Sequence, residues 1–266
     1  MALLRIDHEP ETVGMNLPLN LILPEPAALK GKALEDSPTL YLLHGLSDDA
    51  SAWTRYSVIE DLARDYGLVV VMPSAGRSLY ADMDNGQRYF SYVTEELPAY
   101  LHQLLRLTTA REKTFIAGLS MGGYGAFKAA CLKPERYAAA LSLSGLLVVD
   151  PAMIPPDKAF DPQLMHEFDL VFGGLAKVAG STNDPVTWLK MIAADPARYP
   201  RLYLSCGTED DLLDMSRYFA NGLKQAGVPV DYEEHPGGHT WPYWNKHIAV
   251  WLRKILPEPE SRLSGV

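Results

Sequence analysis

Phe115-Ile116-Ala117-Gly118-Leu119-Ser120-Met121-Gly122-Gly123-Tyr124-Gly125-Ala126 is an apolar run that passes through a Gly-x-Ser-x-Gly turn into a segment of small residues. The pattern predicts a strand over Thr114 to Ala117, a sharp turn carrying Ser120, and a helix over Met121 to Leu132, the arrangement called a nucleophile elbow. A serine alcohol is a weak nucleophile at neutral pH, so it has to be held on a tight, strained turn, beside a base and clear of bulky neighbours. Gly118 and Gly122 leave that clearance. The pentapeptide alone is not specific; the strand before it and the helix after it carry the reading. Ser120 is the candidate nucleophile.

On both sides of the elbow, strand-like apolar runs alternate with amphipathic helical stretches, which predicts an α/β fold with a mostly parallel central sheet and helices on both faces. The expected strands are Leu3 to Asp7, Leu17 to Leu23, Thr39 to His44, Leu68 to Met72, the elbow strand, Tyr137 to Ser144, Arg201 to Ser205 and Val230 to His235. Helices are expected around Tyr56 to Tyr66, Thr94 to Leu107 with Pro98 in its first turn, Leu212 to Ala226 and Tyr243 to Ile255. Between Ser144 and Arg201 the alternation stops. Pro151, Pro155, Pro156 and Pro162 interrupt it, and Asp184-Pro185 reads as an N-cap and first helical position. One domain over residues 1–266 is expected, with a cap or lid insertion at about 145–200 lying over the carboxyl ends of the strands.

The chain has 266 residues, 47% of them hydrophobic and 21% charged, with a formal charge of −9. That balance suits a soluble domain with a sizeable core, and the acidity argues against nucleic acid or an anionic membrane as partner. No apolar run reaches the 18 or so residues of a membrane span, and Met1 to Pro10 carries Arg5, Asp7, His8 and Glu9 in place of a leader's apolar stretch. A cytoplasmic location is the expectation. Cys131 and Cys206 read as small buried thiols. No metal site is expected: His235 and His239 are four apart, but Pro236-Gly237-Gly238 forbids the helix that would bring them together. Oligomeric state, a homo-oligomer included, is left open by the sequence.

A serine hydrolase of this architecture needs an acid and then a base downstream of the serine. His239, in His235-Pro236-Gly237-Gly238-His239-Thr240-Trp241, comes after the last expected strand on a loop able to carry an imidazole to Ser120. The acid should come after the preceding strand, where Cys206-Gly207-Thr208-Glu209-Asp210-Asp211 supplies three carboxylates. Asp210 is favoured; Asp211 has a sufficient role as N-cap of the next helix, and Glu209 is expected to face solvent. Spacing does not separate Asp210 from Asp211. The oxyanion of the tetrahedral intermediate needs backbone donors: Met121 N–H, after the nucleophile, and Leu46 N–H in His44-Gly45-Leu46-Ser47, with His44 itself bracing the loop. Trp53, Tyr80 and Trp241 fall on loops expected near the mouth, where they would shape an acyl or alcohol pocket or else pack in the core. The chemistry is acyl transfer from a small-molecule ester to water, with neither metal nor cofactor.

With Leu42-Leu43-His44-Gly45, the elbow, Cys206 to Asp210 and Pro236 to Trp241 in this order, and with Pro73-Ser74-Ala75-Gly76-Arg77-Ser78-Leu79-Tyr80-Ala81-Asp82-Met83 between them, the chain resembles the esterase D-like branch of the α/β-hydrolases. Within that branch it is most similar to the bacterial tributyrin esterase and acetyl esterase group, over roughly residues 38 to 255. The resemblance implies a carboxylesterase acting on short acyl esters, and it aligns Asp210 with the family's catalytic acid. S-formylglutathione hydrolases share the elbow, but the acidic, glycine-rich stretch that marks them is not found after Met72, so thioester hydrolysis ranks second. Acyl transfer to an alcohol, as in the mycolyltransferases, would use the same residues.

Overall fold

The computed structural model describes residues 1–29, 31–149 and 162–257. Its β-branched and leucine-rich runs form β1 (Ala2–His8), β2 (Leu17–Leu23), β3 (Thr39–Leu43), β4 (Val69–Pro73), β5 (Thr114–Leu119), β6 (Ala139–Leu143), β7 (Arg201–Gly207) and β8 (Val230–His235). They make one sheet in the order β1-β2-β4-β3-β5-β6-β7-β8. The β1–β2 and β2–β4 pairs are antiparallel, and every pair from β4 to β8 is parallel.

Strands β3 to β6 are buried along their whole length, which is why they read as unbroken apolar runs: both faces of a parallel sheet are covered. Alternate residues feed opposite layers. Tyr41, Leu43, Val71 and Ile116 pack with Tyr124, Phe127, Trp188 and Phe219 from helices Met121–Leu132, Pro185–Ala194 and Leu213–Gln225. Leu40, Leu42, Val70 and Ala117 pack with Ile59, Leu62, Trp244 and Ile248 from helices Ile59–Tyr66 and Trp241–Ile255 on the other face. Each large side chain removed from water in this way contributes roughly 1.5–3 kcal/mol.

Two helices differ from expectation. The helix expected around Tyr56 to Tyr66 starts at Ile59, and a separate short helix, Ala52–Tyr56, precedes it. Ser57 between them is extended, its hydroxyl accepts Ile59 N–H at 3.2 Å, and Val58 N–H goes to Asn245 Oδ1 at 2.8 Å. Helical structure before Leu105 starts earlier than Thr94, at Tyr89, so Pro98 lies well inside the helical run. A wide π turn over Tyr92–Glu96 precedes it, loosening the ladder where a proline removes a donor and crowds the carbonyl four residues back.

Residues 150–161 of the long stretch between β6 and β7 lie outside the described residues. The remainder of that stretch contains helices Pro162–Phe172 and Pro185–Ala194, the second capped by Asp184, whose carboxylate accepts Val186 N–H at 2.9 Å. This segment docks on the loop after β4. Asp84 and Asn85 donate backbone N–H groups to the carbonyls of Val171 and Leu170 at 2.9 and 3.1 Å, and Arg77 meets Glu167 at 2.5 Å.

Candidate active site

The chain runs from β3 outward to β4 and then returns to place β5 on the other side of β3, so the order in which strands are added reverses between β3 and β5 while the strands stay parallel. Loops leaving the carboxyl ends of two such strands diverge and open a crevice. The loop after β3 holds His44 to Leu46, and the turn after β5 holds Ser120. The two strands are in register from Thr39 and Thr114 to Leu43 and Gly118.

Ser120 has φ +54° and ψ −119°, a conformation that a side chain disfavours and that packing must enforce. Its N–H donates to Leu143 O at 2.9 Å, and its carbonyl accepts Tyr124 N–H at 3.1 Å. The glycines are sterically required. A methyl group on Gly118 would strike the backbone of Gly122, and one on Gly122 would lie 2.5 Å from Leu43 O and 2.7 Å from His44 O. Gly45 lies directly against the turn; a methyl there would be 2.7 Å from Leu119 Cδ1 and 3.7 Å from Ser120 Cβ. The β3 loop and the elbow thus touch through backbone, and a half-buried Ser120 lies at their junction.

Met121 opens the helix after the elbow, where the first N–H groups have no intrahelical acceptor. Leu46, half-buried, comes after Gly45 on the facing loop. That loop is held by His44, whose ring is used on both sides: Nδ1 donates to Gly45 O at 2.7 Å, and Nε2 accepts Ala75 N–H at 3.0 Å. A carbonyl can only accept, so the proton is on Nδ1. Burial depresses the pKa of His44 and keeps the ring neutral.

Of the two expectations for Tyr80 and Trp53, pocket wall or core, the structure gives the second: both lie beneath this loop, each 1% exposed. The Tyr80 hydroxyl accepts His44 N–H at 2.9 Å and donates to His44 O, while its ring covers Gly125 of the elbow helix. Trp53 Nε1–H donates to Leu43 O at 3.0 Å. Both polar tips are spent on backbone at the end of β3. Trp241 remains partly exposed, edge-on to Trp53 at 5.1 Å and beside Tyr56 at 5.2 Å.

The structure brings Asp210 and His239 together. The Asp210 side chain is fully buried, and its carboxylate accepts from His239 Nδ1 at 3.0 Å and from Leu212 N–H at 2.8 Å. Burial alone would push this carboxyl up, but the bond to His239 and the one to Leu212 outweigh it, and its pKa falls below the ordinary aspartate value. Asp210 therefore stays ionised, and an ionised acceptor at Nδ1 leaves Nε2 of His239 as the free nitrogen. The His239 ring stands perpendicular to Trp244 at 4.8 Å, and Trp244 Nε1–H is held by Ser144 Oγ at 3.0 Å, just past β6.

Asp211 is exposed and does not cap the next helix: Leu212 is the N-cap residue, and the carboxylate on its N–H belongs to Asp210. Glu209 is exposed, as expected, and its carboxylate also accepts Gly237 N–H across the gap between two loops. Sequence reading also missed Ser144, Trp244 and Lys128. Lys128 is 2% exposed on the elbow helix, bonded to Asn183 Oδ1 at 2.5 Å, with burial lowering its pKa to about 7. A charged residue within the otherwise small and apolar run Ala126 to Cys131 was the available signal. Cys131 and Cys206 are free and buried. Among the described residues no group of three or more His, Cys, Asp or Glu could hold a metal ion, and no helix is long and apolar enough to cross a membrane.

A strained serine on the turn after β5, with an aspartate-bound histidine after β8 at the same end of the sheet, defines a serine hydrolase of the α/β-hydrolase fold. Residues 11–255 match the model of the esterase family described as "Putative esterase", and the chain belongs to that family. It is 32% identical over 264 residues to an acetyl esterase of Caldicellulosiruptor saccharolyticus, covering 96% of this chain and 99% of the relative. Among solved structures, it is similar to the substrate-bound fluorophosphonate-binding serine hydrolase F of Staphylococcus aureus, with TM-score 0.86, 32% identity, and 96% and 98% of the two chains covered. It is also similar to an S-formylglutathione hydrolase of Staphylococcus aureus in its apoenzyme form, with TM-score 0.84, 32% identity, and 96% and 99% covered. The protein is a carboxylic ester hydrolase.

Proposed function

We propose that Ser120, His239 and Asp210 act as nucleophile, base and orienting acid in the hydrolysis of short-chain acyl esters of the acetyl to butyryl type. The observation that carries this reading is the 3.0 Å contact between a buried Asp210 and His239 Nδ1, at the same carboxyl end of the parallel strands as the φ +54° serine. His239 Nε2 takes the Ser120 proton as the oxygen attacks the ester carbonyl. The oxyanion is received by Leu46 and Met121 N–H, donors worth roughly 2.7–4 kcal/mol each. Protonated His239 then hands its proton to the leaving alcohol, and water repeats the sequence on the acyl-enzyme.

Asp210 fixes the tautomer on which both transfers depend. The segment 162–198 is read as part of a cap that limits room for the acyl chain, supported by its docking on Arg77, Asp84 and Asn85. Trp241, the partly exposed aromatic closest in sequence to His239, is read as a wall of the opening. Two unpaired, buried cysteines fit a reducing compartment, and the working location is read as the cytoplasm.

A second reading, thioester hydrolysis, draws on the likeness to the S-formylglutathione hydrolase. Turnover of nitrophenyl acetate, butyrate and octanoate beside an S-formyl thioester separates the two. The ester reading predicts the highest kcat/KM on acetate or butyrate. A tenfold preference for the thioester or for octanoate would overturn the substrate class.

A further inference from the structure

The loop that carries the acid and the loop that carries the base are tied to each other by Glu209. Parallel pairing of β7 and β8 ends in register at Gly207 and His235, and the backbone continues the pairing: Thr208 N–H donates to His235 O at 2.9 Å and Glu209 N–H to Gly237 O at 3.0 Å. Glu209 then closes the ring, its Oε2 accepting Gly237 N–H. Asp210 is the next residue on one loop; His239 is two residues on along the other. Beyond this clamp the base loop is held at its far end, by Thr240 N–H on Gly238 O at 2.8 Å and by His239 on Asp210 and Trp244. Pro236-Gly237-Gly238 contains two glycines, the residues with the most backbone freedom to lose, and Gly237 has φ +140°, open to glycine alone. The approach is close enough that a methyl on Gly207 would collide with Gly237 O.

An exposed carboxylate ordinarily spends its lone pairs on water. Here the Thr208 hydroxyl and Gly237 N–H hold it, and they keep Glu209 below the usual carboxylate range. We propose that Glu209 is a positioning residue for catalysis: by clamping Gly237 from both sides it fixes the glycine loop and so sets the separation of Asp210 and His239. This rests on the reading of those two residues as acid and base.

The test compares Glu209→Ala, Glu209→Gln and Asp210→Asn in the full chain, with kcat and KM on a nitrophenyl ester and the downfield proton resonance of His239 Nδ1–H as readouts. Glu209→Ala is expected to lower kcat about tenfold with KM within about twofold, the cost of a small misplacement of a reacting group, and to broaden the Nδ1–H resonance. Glu209→Gln, whose amide oxygen accepts the same N–H, is expected to stay within about twofold of the parent. Wild-type kcat in Glu209→Ala, or equal loss in both Glu209 variants, would overturn the clamp while a loss of about a thousandfold in Asp210→Asn leaves the triad standing. Full activity in Asp210→Asn would remove the triad reading itself.

Discussion

The two halves of the site are held by different physics. Around Ser120 the geometry is enforced by contact: Gly118, Gly122 and Gly45 leave no room for a methyl group, and the turn is locked between β3, β5 and β6. Around Asp210 and His239 it is enforced by hydrogen bonds between loops, and the imidazole is the more exposed member, with 34% of its side chain open. A nucleophile on a strained turn has to be immobile, since its conformation persists only where the surroundings over-determine it. A base that takes a proton from one oxygen and gives it to another needs fixed orientation and some freedom of travel. Steric locking suits the first task, and polar tethering suits the second.

The largest effect expected on turnover comes from breaking the polar half. Asp210→Asn is expected to lower kcat by about a thousandfold or more, because the imidazole tautomer is no longer fixed. Asp211→Asn, one residue along but exposed, is expected to stay within about twofold. Equal losses in the two variants, measured with a nitrophenyl ester, would show that charge in this loop matters and the Asp210–His239 bond does not.

Gly122→Ala breaks the steric half. A methyl 2.5 Å from Leu43 O cannot be relieved by a side-chain rotation, so the variant is expected to lose about 1–3 kcal/mol of stability in urea unfolding and to lose activity with it. A stable and active variant would show that the elbow is not sterically fixed.

The smallest effect on turnover is expected from Lys128→Met, farther along the elbow helix. Burial lowers this amine to about 7 from its ordinary 10.5. Between those values the unfolded chain holds a proton that the folded chain has released, so stability rises as pH increases from about 7 toward 10.5. The methionine variant is expected to lose that rise while keeping turnover within about twofold. An unchanged pH dependence of urea stability would contradict the assignment.

The contrast between the halves also explains what could be read in the sequence. Strands and elbow were legible because buried parallel strands are continuous apolar runs, and because a turn that excludes Cβ atoms must be written in glycine. Hydrogen bonds between loops leave no such periodic mark. Asp211 was expected to cap a helix that begins one residue later than its pattern suggests, and the carboxylate at that helix start is Asp210, on the N–H of the N-cap residue Leu212. Glu209 is exposed as expected, and what the sequence did not mark is its bond to Gly237, 28 positions away. Tyr80 and Trp53 stayed open between pocket wall and core for a related reason: the backbone that their polar tips satisfy, at the end of β3, lies 36 and 10 residues distant.

Everything proposed for the site requires Ser120 to be the reactive oxygen at this junction. Reaction with a fluorophosphonate probe, with peptide mass analysis of the parent and of Ser120→Ala and His239→Ala, tests it most directly. One phosphonyl group per chain is expected, on the peptide containing Ser120, absent from Ser120→Ala and strongly slowed in His239→Ala. An active enzyme that stays unlabelled at Ser120, or one that keeps its ester turnover as Ser120→Ala, would contradict it.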